Sequence, residues 1–292
     1  MNELNRIKTY GANDEVLVDE LTSNTRVLIV TMNTPDKLNT LSVQLMGAMA
    51  QAFDEITANA KEDAQVDPRQ VVILRAAGDS FTVGLDIASL AGDYLEQGVP
   101  RDGDPFFAMW DCPYPIIGAV NGAAVTGGFE IALSCDVLLA SRQAVFMDNH
   151  AKYGVHPGRR ISQRLMQIAG PANASLACMS SYPIDADMAL SWGLVQKVLP
   201  DKAALDEEAI NVALMMTDNH PLSVRRYKHL IVEGGMGTYA DGLKLEDASD
   251  QTFYTSLSDL NAMLRDGGAK FQKMLQWVRE RAAAAHYPRT RT

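Results

Sequence analysis

The chain has 292 residues, 47% of them hydrophobic, and a formal net charge of −10. That length permits one large domain or a core with an appendage, and the acidic balance argues against nucleic acid, which needs a basic face. No apolar run reaches the ~18 residues of a membrane span, and the first residues lack the basic-then-apolar layout of a secretory signal, so a soluble, cytoplasmic protein with no membrane partner is expected. Cys112, Cys135 and Cys178 show no metal-ligand spacing and stand among apolar neighbours, the pattern of buried free thiols, and no metal is expected.

In chain order, residues 1–13 are polar and irregular and read as a poorly ordered lead-in. Alternation over Glu15–Leu21 and Arg26–Met32 around Ser23-Asn24 predicts a β-hairpin, and Pro35 breaks the loop that follows. Ser42 is a good N-cap, and Leu45, Met49, Ala52, Phe53 and Ile56 fall on one face of the helix it opens. A charged loop then leads to an apolar strand, Val71–Ala76, and a Gly78-Asp79 turn. Residues 88–110 are punctuated by Gly92, Gly98, Pro100, Gly103 and Pro105, with Phe106, Phe107, Met109 and Trp110 as candidates for a pocket lining or for core.

The most informative stretch comes next. Ile116–Val120 reads as a buried strand, Asn121–Glu130 as a stretch built on a glycine turn, and Ile131–Cys135 as the start of a helix. Strand, glycine turn and helix leave backbone N–H groups free at the positive end of a helix dipole. Glu130 follows within one turn. Beyond lie strands over Asp136–Ser141 and Ala144–Met147, helices over Arg160–Ile168, Ala172–Ser180 and Ala186–Trp192, and a closing Gly193–Leu199 segment. From Asp201 only helical patterns appear, broken at Gly234-Gly235 and Gly267-Gly268, before a polar tail over Tyr287–Thr292 expected to be disordered. Strands alternating with helices, then helices alone, predict an α/β core (1–200) with a helical region (201–292).

Four segments in order resemble the crotonase (enoyl-CoA hydratase/isomerase) superfamily. Phe81-Thr82-Val83-Gly84-Leu85-Asp86 resembles its F-S-A-G-A-D-L segment, and Ala119-Val120-Asn121-Gly122 with Gly127-Gly128-Phe129-Glu130 its A-V-N-G…G-G-x-E. Cys135–Ala140 is similar to C-D-x-x-x-A, and Val145-Phe146 with Gly154–Gly158 to F…G-x-x-P-G. The likeness covers about two-thirds of the chain, from Arg26 past Leu199. It implies a spiral of repeated β-β-α units, a C-terminal helical region that builds homotrimers or hexamers, and an acyl-CoA substrate with no prosthetic group. It also implies coenzyme A contacts from Lys37, Leu38, Val83, Leu85, Asp86 and Ile87, a lid in the irregular 88–110 region, and an oxyanion hole made by the Leu85 and Gly127 amides, which would stabilise an enolate of the thioester.

Proton transfer is where the chain departs from the pattern. Hydratases of the family pair the G-G-x-E glutamate, here Glu130, with a second one; counting back from Pro157-Gly158 puts His150 in that place. A histidine can still serve as general acid or base near neutral pH. The first glycine of the family's oxyanion triplet is Thr126, and Arg159 stands where C–C bond hydrolases of the superfamily carry an aspartate. Three readings follow: a hydratase- or isomerase-like enzyme with Glu130 and His150 as catalytic residues, a β-diketone hydrolase, or a non-catalytic CoA-binding relative.

Overall fold

The computed structural model describes residues 3–60, 69–86 and 103–256, together with positions 268, 272, 275 and 276. The hairpin is present as β2 (Val16–Leu21) and β3 (Asn24–Met32), and a further strand, β1 (Leu4–Tyr10), pairs antiparallel with β2. This corrects the expectation of a poorly ordered lead-in for the part that is described. Only Tyr10 of β1 is buried, so no apolar alternation marks it. The backbone ladder holds it, helped by polar contacts of Asn5 with Glu20, Arg6 with Asp19 and Lys8 with Glu55.

After β3 the chain supplies β4 (Val71–Ala76), β5 (Ile116–Val120), β6 (Ala123–Val125), β7 (Val137–Ser141), β8 (Val145–Met147), β9 (Ile184–Asp185) and β10 (Lys197–Leu199). A seven-stranded sheet runs β1-β2-β3-β4-β5-β7-β10, parallel from β3 onward, and a second sheet runs β6-β8-β9. Thus β5–β6 and β7–β8 each give their first strand to the large sheet and their second to the small one, then enter a helix. This is the α/β fold of repeated β-β-α units.

Helices cover both faces of the large sheet. Successive strand residues point to opposite sides. Leu28, Val30, Val72 and Leu74 join the core built with α1 (Val43–Ala58), whose stripe of Leu45, Met49, Ala52, Phe53 and Ile56 is buried. Ser42 caps α1, its hydroxyl accepting from the Leu45 amide at 3.2 Å. Val27, Ile29, Val71, Ile73 and Ile117 form a second core on the opposite side with Leu205, Ala209, Ile210 and Ala213. Strands buried on both faces carry continuous apolar runs, as β4 and β5 do.

The remaining helices are α2 (Pro105–Asp111), α3 (Gly127–Leu133), α4 (His150–Tyr153), α5 (Ile161–Ser180), α6 (Ala186–Ser191), α7 (Lys202–Thr217), α8 (Pro221–Gly234) and α9 (Tyr239–Ser256). A kink at Gly170, before Pro171, divides α5 where the sequence separates two helices. The chain divides into two compact units, Met1–His229 and Leu230–Thr292. In the first, the apolar positions of α7 recur at helical spacing and bury against β3, β4 and β5, at ~1.5–3 kcal/mol for a side chain the size of Leu205. Gln70 and Arg26 add hydrogen bonds to the carbonyls of Met216 and Thr217. In the second unit the Thr238 hydroxyl and amide bond the Asp241 carboxylate at the start of α9. No described helix is long and apolar enough to cross a membrane.

Candidate active site

Two turns, one after β4 and one after β6, are pressed together. The Thr82 amide donates to Ala123 O at 2.9 Å and the Val125 amide to Thr82 O at 3.0 Å. Gly84 has φ +90°, and a Cβ there would stand 2.5 Å from Val125 O; a Cβ on Gly128 would stand 2.2 Å from Thr82 O. No side chain fits at either place, which is what lets the two backbones approach. Leu85 then faces the start of α3, where a Cβ on Gly127 would lie 3.4 Å from Leu85 Cγ. Among the described residues neither the Leu85 nor the Gly127 amide donates a hydrogen bond.

The segments expected to hold coenzyme A meet at the same edge. A single helical turn over Pro35–Lys37 ends at Leu38 in the left-handed region, φ 53°. Leu38 O accepts from the Val83 amide at 3.4 Å, the Leu41 amide donates to Gly84 O at 2.8 Å, and the Asp86 amide donates to Leu41 O at 3.2 Å. Lys37, Leu38, Val83, Leu85 and Asp86 are therefore carried by two tied loops. Ile87 and residues 88–102 of the expected lid lie outside the described residues. Of the four candidate pocket residues, Phe106 and Met109 are buried in the core, while Phe107 and Trp110 pack edge-to-face and stay partly exposed.

The structure brings Glu130 and His150 together. Glu130, 3% exposed, projects from the first turn of α3, and Phe129 beside it packs on Phe146 of β8, which leads to His150. His150, also 3% exposed, opens α4, with its Nε2 3.8 Å from Glu130 Oε2. Thr126, in a strained conformation (φ 51°, ψ −109°), ties the two elements: its amide donates to Met147 O at 2.7 Å and its hydroxyl accepts from the Asn149 amide at 3.3 Å. The other Glu130 oxygen accepts from the Arg159 amide at 2.9 Å. The Arg159 guanidinium turns away and pairs with buried Asp104 at 2.7 Å.

Two further contributors are Asp148 and that Arg159 amide. Asp148 Oδ1 lies 2.6 Å from His150 Nδ1 and accepts from the His150 amide at 3.0 Å. An Asp-x-His spacing after a strand is a legible signal for the first. The second is a main-chain contact, and no side-chain pattern encodes it.

Burial pushes the Glu130 carboxyl up to about 7, although the His150 charge, the Arg159 amide and the Arg159 charge pull it down. Burial by itself would lower His150; its hydrogen bond to Asp148 and the charges of Glu130 and Asp148 outweigh that and hold the imidazole above its ordinary value. Burial would raise Asp148, but its bonds to the His150 ring and amide keep it below the usual aspartate value. These directions favour an Asp148–His150 ion pair, beside a carboxyl near 7 that can gain or lose a proton around neutrality. Such a pair can move protons to and from a substrate held at the two free amides.

Comparison with known proteins agrees with the fold and the motifs. The enoyl-CoA hydratase/isomerase family model matches residues 22–262. A probable peroxisomal enoyl-CoA hydratase of Arabidopsis thaliana is 32% identical over 257 residues, 88% of this chain and 91% of that protein. The human mitochondrial Δ(3,5)-Δ(2,4)-dienoyl-CoA isomerase is 30% identical over 219 residues, 69% of this chain and 64% of its own. An enoyl-CoA hydratase structure from Bacillus anthracis superposes with a TM-score of 0.76 at 27% identity, covering 87% of this chain and 96% of that one. The chain belongs to the enoyl-CoA hydratase/isomerase family, within the crotonase superfamily.

Proposed function

We propose that this protein adds water across the double bond of a 2-enoyl-CoA, with Glu130 and His150 as the acid–base pair and the Leu85 and Gly127 amides as oxyanion donors. The observation that carries this reading is the 3.8 Å approach of Glu130 Oε2 to His150 Nε2, both buried, one turn from the Gly127 amide. Ionised Glu130 takes a proton from water as the water oxygen bonds to C3. The π electrons of the double bond move through C2 to the thioester oxygen. That enolate oxygen is held by the two amides, each worth on the order of 3–4 kcal/mol in such sites. The His150 imidazolium then gives its proton to C2, the enolate returns to the thioester, and solvent carries the Glu130 proton back to the imidazole. One water is consumed and both side chains are restored.

Coenzyme A would be held along the tied loops by Lys37, Leu38, Val83, Leu85, Asp86 and Ile87. The hydrogen bonds that join Leu38 to Val83 and Leu41 to Gly84 support this, because they set Lys37, Leu38, Val83, Leu85 and Asp86 on one edge beside the amides. No prosthetic group enters the scheme. One observation favours a second reading: the Asp148–His150 pair gives this histidine the carboxylate partner that a C–C bond hydrolase acting on β-diketones would use.

The two are separated by a substrate panel. Acyl- and aryl-2-enoyl-CoAs are assayed for loss of the conjugated double bond, and β-diketones for cleavage without coenzyme A. Hydration of at least one enoyl-CoA is expected. Cleavage of a diketone with no turnover of any enoyl-CoA would replace the hydratase reading with the hydrolase.

A further inference from the structure

We propose that Asp148 is a positioning residue for this reaction, fixing the His150 ring so that Nε2 faces Glu130 and acting as the permanent counter-ion of the imidazolium. The proposal rests on the reading of His150 as proton donor.

Asp148 follows directly on β8 and is 2% exposed. A single oxygen, Oδ1, meets His150 twice, at the main-chain amide and at Nδ1. The first contact is an ordinary Asx turn that starts α4. The second is not needed for that turn; it sets the rotation of the ring and leaves Nε2 towards Glu130. On α5, burial first and the Asp148 carboxylate second push the Cys178 thiol up to about 12, so no second negative charge arises beside Asp148. The carboxylate is thereby held by the amide and the ring of His150 with almost no solvent.

The charges around the ring show why an acceptor without charge would not do. Asp148 and Glu130 face His150, with Arg159 behind Glu130 and Cys178 behind Asp148. Glu130 neutralises itself each time it takes a proton from water. At that moment the charge passes to the enolate oxygen at the two amides, and Asp148 is the remaining carboxylate against the buried imidazolium; an unpaired buried cation is strongly disfavoured. The imidazolium must survive until it has protonated C2. Asp148 supplies that persistence.

Asp148→Asn tests this, because its side-chain oxygen still accepts both bonds while the charge is lost. The variant is titrated by NMR at the His150 imidazole, and kcat and KM are followed against pH with an enoyl-CoA turned over by the native protein. The imidazole midpoint is expected to fall by about one unit or more, and the alkaline limb of kcat/KM to move with it. The same change should lower kcat by about tenfold or more and leave KM within about threefold. Asp148→Glu, which restores the charge, should recover part of the limb, and it provides the titration if the Asn variant does not fold. An imidazole midpoint in Asp148→Asn equal to that of the native protein, or for Asp148→Glu one lowered as if no charge were present, overturns the proposal. His150→Ala, run in parallel, isolates the underlying reading: if the alkaline limb persists without the imidazole, it is the donor role of His150 that fails, and the NMR titration still decides the role of Asp148.

Discussion

Glu130 is 3% exposed, with its carboxyl raised from 4.5 to about 7, so at neutral pH the fold carries a charge that burial opposes. The sign follows from linkage: a carboxyl whose folded value is raised costs nothing below its unfolded value and its full penalty above its folded one. The difference, about 2.5 units, corresponds to roughly 3 kcal/mol above pH 7. Glu130→Gln removes that penalty and keeps a carbonyl for the Arg159 amide. Chemical denaturation should show the variant up to about 3 kcal/mol more stable at pH 8, less what His150 loses with its partner, and the gain should vanish towards pH 4. His150, raised, adds stability that is present below its unfolded value of 6.5 and lost as pH rises through its folded value. Asp148, lowered, adds stability that is lost as pH falls through its folded value. The cluster as a whole therefore favours the folded state most on the acid side of neutrality, and a native protein whose stability rises steadily from pH 5 to 9 would contradict this balance.

At the scale of elements, α7 is the one whose role differs from its sequence context. Its apolar stripe closes the back of the large sheet, so Leu205→Ala, at a fully buried position, should cost about 2–5 kcal/mol in equilibrium unfolding. A loss below about 0.5 kcal/mol, the size of an ordinary surface change, would mean that the helix is only an appendage. The same packing explains what was legible. Strands β4 and β5 are buried on both faces and read as unbroken apolar runs, and α1 shows its stripe at helical spacing. Strand β1 did not show because a ladder and surface charges hold it. Of the small sheet only β8 showed, within the strand read over Ala144–Met147; β6 and β9 have three and two residues, too few for a pattern. Glu130 and His150 could be placed by their distances from the glycine and Pro157-Gly158 motifs.

For the whole molecule we propose assembly into a trimer, or a hexamer of two trimers. In the second unit Ile231, Met236 and Tyr239 are 66%, 55% and 84% exposed. Large apolar side chains left uncovered at this density mark an interaction surface. Sedimentation at micromolar concentration should give a species three or six times the 31.8 kDa chain. A stable monomer would contradict it.

The central claim is that a buried carboxylate at the head of α3 performs the proton transfer, and the most direct test is the hydration rate of a 2-enoyl-CoA by Glu130→Gln at neutral pH. The shape and hydrogen bond to Arg159 are retained while the base is lost. We predict kcat at least ~10²-fold below that of the native protein, the lower end of what a general base contributes, with the folded state intact by the stability measurement above. An unchanged kcat in that variant would contradict the account.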